Sequence, residues 1–203
     1  MTSQLLLDLE PPPAPTFARF APGRNRAAVE ALVRLAAAPG VVYLWGEPGS
    51  GKSHLLAAAY GAADAVAVQT LDDVDRLDAM AQIEAFDLFN RVRTAGGSVV
   101  AAARTPPAAL GLRDDLRSRL LSGLVFQLHP LADAEKAAAL AAHAAERGMK
   151  LPPEAVDHLL ARLPRDLGTQ FAVLDAIDRY SLALKRPVTL PLVREAIVAL
   201  GLA

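Results

Sequence analysis

Apolar positions change their rhythm partway along the chain. Val41-Val42-Tyr43-Leu44-Trp45 is short, apolar and β-rich, and Ser98-Val99-Val100-Ala101-Ala102 is similar. Such runs suit strands buried on both faces of a parallel sheet. Ala65 to Leu71 is a third apolar stretch, ending in Asp72-Asp73, and Leu124 to Leu128 a fourth strand. Between them the spacing is helical. One helix runs over 25–35 and stops at Pro39-Gly40; a second follows a glycine-rich turn through Leu55, Leu56 and Tyr60. A third, around Ile83–Val92, carries Phe86 and Phe89, and a short basic helix lies near 113–121. Strands alternating with helices imply a parallel sheet. After Pro130 only helical patterns remain, over 133–147, 153–163, 166–184 and 191–200, punctuated by Gly148 and Pro152-Pro153. These readings predict three parts: a tail over 1–16, an α/β domain over 17–130 and an all-helical lid over 131–203.

The tail has its own pattern. Leu5, Leu6, Leu7 and Leu9 are followed by Pro11, Pro12, Pro13 and Pro15. Proline fixes φ and lacks a backbone donor, so this stretch reads as an extended spacer whose leucines are buried by something other than a regular element.

Composition narrows the function classes. Apolar residues make up 53% of the 203, enough for a real core, and the formal charge is −1. That balance argues against broad electrostatic capture of nucleic acid or an anionic membrane. There is no cysteine, which excludes disulfides, thiolate chemistry and Cys-based zinc sites. No apolar run is long enough to span a bilayer, and the N-terminus lacks the basic start of a signal peptide. A cytoplasmic protein is expected.

One motif carries chemistry by itself. Gly46-Glu47-Pro48-Gly49-Ser50-Gly51-Lys52-Ser53 is a complete G-x-x-x-x-G-K-[ST], placed between a strand and a helix. Glycines let backbone N–H groups converge on phosphate oxygens, and the helix adds its positive end. Lys52 would reach the β- and γ-phosphates, and Ser53 would supply a hydroxyl to Mg²⁺. His54, next in the chain, completes the candidate nucleotide-binding set, as a helix-surface residue rather than a catalyst. Asp72 and Asp73 end an apolar strand, as the metal-facing acid of such a site should. Asp72 would hold Mg²⁺ through water and Asp73 would orient or activate the attacking water. Only 19 residues, 53–71, separate Lys52 from Asp72. That interval holds one helix and one strand, so a trimmed sheet of about four strands is expected, the missing one being an edge strand.

Further segments resemble the AAA+ domain of the bacterial replication initiator DnaA and its relatives. Thr16-Phe17-Ala18-Arg19-Phe20-Ala21-Pro22-Gly23-Arg24-Asn25 looks like the segment that wraps adenine in that family, which places Phe20, Pro22 and Asn25 against the nucleotide. The Asp72-Asp73 pair resembles the family's acid pair. Phe86-Asp87-Leu88-Phe89-Asn90-Arg91 is similar to the helix after it, and Thr105-Pro106-Pro107 to the turn after the sensor strand. Leu116-Arg117-Ser118-Arg119-Leu120 looks like the segment carrying the arginine finger, with Arg119 at the finger position. Leu163-Pro164-Arg165-Asp166-Leu167 is similar to the lid segment bearing the sensor 2 arginine, Arg165. Gln4-Leu5-Leu6-Leu7-Asp8-Leu9 looks like a Q-x-x-L-x-L peptide that binds the DNA sliding clamp, with Gln4, Leu5, Leu7 and Leu9 as its contacts.

The resemblance is nearest to the Hda branch of the family. It implies a P-loop AAA+ fold that binds ADP or ATP with Mg²⁺, has DnaA and the sliding clamp as partners, and restrains replication initiation by promoting DnaA's ATP hydrolysis through an arginine finger in trans. Ala203 follows the lid closely, so neither the DnaA-type DNA-binding domain nor specific DNA contact is expected. One position departs from the pattern: Arg104 stands near the end of the sensor strand, where an Asp or similar polar residue is usual. Weak or absent intrinsic hydrolysis is therefore expected. Two other readings stay open: a free-standing P-loop ATPase or small-molecule kinase, and a DnaA-paralogue initiation or loading factor. On residue type alone, Arg119 is one of several arginines on a short helix, and the leucines could pack on the protein's own surface.

Overall fold

The computed structural model describes residues 14–62, 67–164 and 166–202. They fall into two compact units meeting at Pro130/Leu131, and the first begins at Ala14.

In the first unit, α1 (Arg26–Arg34) precedes β1 (Val41–Trp45), and α2 (Lys52–Gly61) leads to β2 (Val68–Leu71). Then come α3 (Ala79–Thr94), β3 (Ser98–Ala103), α4 (Asp114–Leu121) and β4 (Leu124–Gln127). The four strands are parallel in the order β2-β3-β1-β4. β1 and β3 are central, with Val41 opposite Val99 and Trp45 opposite Ala103. Alternate residues face opposite sides of a strand. Val42, Leu44, Val100 and Ala102 therefore pack with Leu32 of α1 and Leu55 and Leu56 of α2. On the other face Tyr43, Ala101 and Ala103 meet Ala85 of α3 and Leu116 and Leu120 of α4. Burial on both faces explains why these strands read as continuous apolar runs. At the edge, β4 leaves Leu124 and Val125 exposed.

Helix ends follow local chemistry. α3 starts earlier than its apolar spacing indicates because Asp78 caps it: the Asp78 carboxylate accepts from the Ala81 N–H at 2.8 Å. The helix over 113–121 is less basic than its arginines imply. Asp114 and Asp115 sit in its first turn and pair with Arg117 and Arg113.

The second unit consists of α5 (Asp133–Glu146), α6 (Pro153–Arg162), α7 (Leu167–Leu184) and α8 (Leu190–Ala199), with no strand among the described residues. Leu140, Leu159, Leu174, Ile177 and Leu192 form its core. Asp175 on α7 ties α5 down, accepting from His143 Nε2 at 2.7 Å and from Arg147 at 2.8 Å. No helix of the described residues is long and apolar enough to cross a membrane.

Candidate nucleotide site

The loop between β1 and α2 sits at the C-terminal edge of the sheet, where parallel α/β folds place ligands. Two of its glycines are required by contact. A Cβ on Gly46 would lie 2.3 Å from the Leu128 carbonyl oxygen, and one on Gly51 would lie 2.5 Å from the Phe20 ring. Gly51 also has φ +93°, in the left-handed region that side chains avoid. α2 then starts at Lys52 and points its positive end into the loop.

Three observations make this a candidate phosphate site. The Ser50 hydroxyl is buried with no hydrogen-bond partner among the described residues. An orphaned buried polar atom is costly, and a bound anion would relieve it. Lys52 is buried, and its ammonium lies over the loop, donating to the Gly46 and Glu47 carbonyls at 2.8 and 3.0 Å. Burial lowers its pKa; Asp72 and Asp73 oppose that shift and Arg104 adds to it. Ser53 Oγ donates to Asp72 Oδ2 at 2.7 Å, joining the two groups expected to serve Mg²⁺. The donor set fits a nucleotide–Mg²⁺ pair, in which phosphate and water supply the remaining ligands. Among the described residues no cluster of three or more His, Asp or Glu side chains forms a metal site by itself.

Asp73 occupies a left-handed backbone conformation, φ +47°. Its N–H donates to Asp72 Oδ1, and its carboxylate lies 3.5 Å from Arg76. The structure thus gathers Gly46, Pro48, Gly49, Ser50, Gly51, Lys52, Ser53, Asp72 and Asp73 at one edge of the sheet.

The entry segment lies against the same loop. Phe20 contacts Gly51, and its ring is 5.4 Å from that of His54. His54 Nε2 donates to the Thr16 carbonyl at 2.9 Å. Pro22 leads into the 3-10 turn Gly23–Asn25. Asn25 is buried and commits both atoms of its amide to one residue: Nδ2 donates to the His129 carbonyl, and Oδ1 accepts from the His129 N–H, each at 2.8 Å. Its side chain therefore clasps the end of β4.

Arg119 lies elsewhere. Nε donates to Asn90 Oδ1 at 2.9 Å, and the guanidinium sits 4.5 Å from the Phe86 ring centroid and 5.9 Å from that of Phe89. It lines a groove of about 640 Å³ with Gly40, Val41, Gly123 and Leu124, at the starts of β1 and β4. Its neighbours Arg113 and Arg117 are neutralised by Asp115 and Asp114; Arg119 has no carboxylate partner among the described residues. Gln4, Leu5, Leu7, Leu9 and Arg165 lie outside the described residues.

Sequence reasoning missed the Ser50 orphan, the Asn25–His129 clasp and Asn90 as the holder of Arg119. The second depends on a residue 104 positions away.

Residues 133–197 match the family described as the Hda lid domain. The fold is similar to domain III of the Thermotoga maritima replication initiation protein DnaA. The TM-score is 0.69 at 22% identity, over 93% of this chain and 96% of that one. It is also similar to AMPPCP-bound DnaA from Aquifex aeolicus, with TM-score 0.65 and 22% identity over 84% of this chain. This chain spans 66% of that DnaA, just under two thirds. The Thermotoga maritima RuvB Holliday junction branch migration motor matches at TM-score 0.60 and 14% identity, over 90% of this chain and 73% of that one.

Proposed function

We propose that this chain, an Hda-type AAA+ protein of the DnaA kind, holds an adenine nucleotide in its own P-loop and acts on a second nucleotide site belonging to DnaA. The first half of this reading is supported by the partnerless Ser50 hydroxyl, the loop-bound Lys52 and the Ser53–Asp72 pair. The Hda-type lid and the likeness to an AMPPCP-bound DnaA agree with it.

The second half rests on where Arg119 sits. It lines the start of β1, whereas the P-loop follows the end of that five-residue strand. At the usual rise, four residue steps separate the two by about 13 Å. In this reading Arg119 serves another molecule's phosphate rather than its own. Its lack of a carboxylate partner leaves its charge available, while Asn90 and the Phe86 face hold the guanidinium in a defined place. In such a contact one chain offers a finger and the other a site, which makes it heterologous.

In this reading Gln4, Leu5, Leu7 and Leu9 dock on the DNA-loaded sliding clamp, Asp72 and Ser53 hold Mg²⁺, and Asp73 orients or activates the attacking water. The protein's own hydrolysis is slow, and DnaA's is stimulated. Arg119→Ala tests the claim. A trans arginine raises hydrolysis by roughly 10³–10⁵ in GTPases served by such a residue, so a near-complete loss of stimulation is expected. The measurement is turnover of DnaA-bound ATP with loaded clamp and the variant in excess. The variant should stay folded and nucleotide-bound. Near-normal stimulation would exclude Arg119.

A further inference from the structure

Arg104 follows the last residue of β3. Its backbone is fixed on both sides. The Ala103 carbonyl accepts from the N–H of Gly46, the first residue of the P-loop, at 3.3 Å. The Thr105 carbonyl accepts from the buried Tyr43 hydroxyl at 2.8 Å. On the other side β2 runs alongside β3, with Leu71 opposite Ala101, so Asp72 and Asp73 leave the sheet beside the end of β3. Arg104 thus stands between the phosphate loop and the acid pair, its flanking carbonyls held by Gly46 and Tyr43.

Its side chain is exposed and forms no ion pair among the described residues. Both acids are otherwise engaged: Asp73 pairs with Arg76, and Asp72 accepts from Ser53. Two cations, Lys52 and Arg104, therefore share the mouth of one site, and each raises the cost of charging the other. The depressed pKa of Lys52, to which Arg104 contributes after burial, agrees with that closeness. Such a pair suits a polyanion. Arginine also differs in kind from a neutral or acidic polar residue: its guanidinium carries five donors and no acceptor. It can grip phosphate oxygens in a fork but cannot accept a hydrogen bond from a water that must be turned toward phosphorus.

We propose that Arg104 is a phosphate-binding residue of this chain's own nucleotide site, supplying charge compensation that lets the site keep ADP without a divalent cation. This rests on the reading of the P-loop as an adenine-nucleotide site. It gives the slow intrinsic hydrolysis a cause: the side chain beside the phosphates secures the nucleotide and orients no water.

Calorimetric titration of ADP onto the nucleotide-stripped full chain, in Mg²⁺ and in EDTA, tests it. For the unmodified protein, chelation should weaken ADP binding by no more than about threefold, the loss of one exposed charge contact. Arg104→Ala should lose about tenfold to a hundredfold in EDTA and much less in Mg²⁺, the range of one charge-assisted hydrogen bond. Arg104→Lys keeps the charge but not the fork, and should recover part of the loss. Two results overturn the proposal while leaving the nucleotide site intact: Arg104→Ala tracking the unmodified protein in both buffers, or an unmodified protein that loses ADP completely on chelation. Failure of the unmodified chain to bind ADP in either buffer would instead defeat the nucleotide-site reading, and this proposal with it.

Discussion

In the helical unit Asp175 accepts from His143 and from Arg147, and Glu195 from Tyr180 and from Arg186. Among the described residues of the α/β unit the Ser50 hydroxyl is buried without a partner, and Lys52 makes do with loop carbonyls; one Asp75 oxygen is bare as well, an acceptor that an anion would not satisfy. Gln170 leaves one amide atom similarly bare in the helical unit, though its Nε2 is anchored on the Pro164 carbonyl. The contrast separates two uses of polar residues. In the helices they close on one another and hold the fold. At the sheet edge Ser50 and Lys52 stay open, and their cost is recovered when an anion binds. Stability in the first unit should therefore depend on ligand, and in the second on side-chain pairs.

The largest effect should come from removing a glycine that the loop cannot do without. Gly46→Ala places a Cβ against a backbone oxygen that has nowhere to move. Overpacking of this kind should cost about 3 kcal/mol, read by denaturant unfolding of the whole chain. A cost below about 1 kcal/mol would mean that the loop adjusts freely. Next, Lys52→Ala should leave the nucleotide-free protein folded and remove the stabilisation by ADP. At a hundredfold excess over Kd that stabilisation is about 2.7 kcal/mol. A preserved ADP-induced shift in melting temperature would break the contrast, since the open groups would then not be the ligand's. The smallest effect belongs to the helical unit. Asp175→Ala strips the partner from His143 and Arg147, both partly solvated, and should cost about 1–2 kcal/mol with no change in ADP affinity.

Much of this organisation is legible in the sequence alone. β1 and β3 are buried on both faces, so their apolar runs announce strands, and the P-loop announces itself by spacing. The four-stranded sheet followed from the short interval between Lys52 and Asp72. What escaped was chemistry between residues distant in sequence. No local pattern says that Asn25 will hold His129 or that Asn90 will hold Arg119. Met80 and Ile83 are exposed on α3, so apolar spacing located its middle and missed its first turn. The acids of α4 were visible in the sequence, but only their pairing with Arg113 and Arg117 singles out Arg119.

The Asn25–His129 clasp has a mechanical meaning. It joins the start of the α/β unit to its end, so the chain between them forms a loop fastened by two hydrogen bonds. Tension applied between the N-terminal tail and the segment beyond Pro130 would load those two bonds before it reached the sheet. A pull from the N-terminal side would first strain the Thr16–His54 hydrogen bond and the Phe20–Gly51 contact, so the phosphate loop would feel it ahead of the fastener.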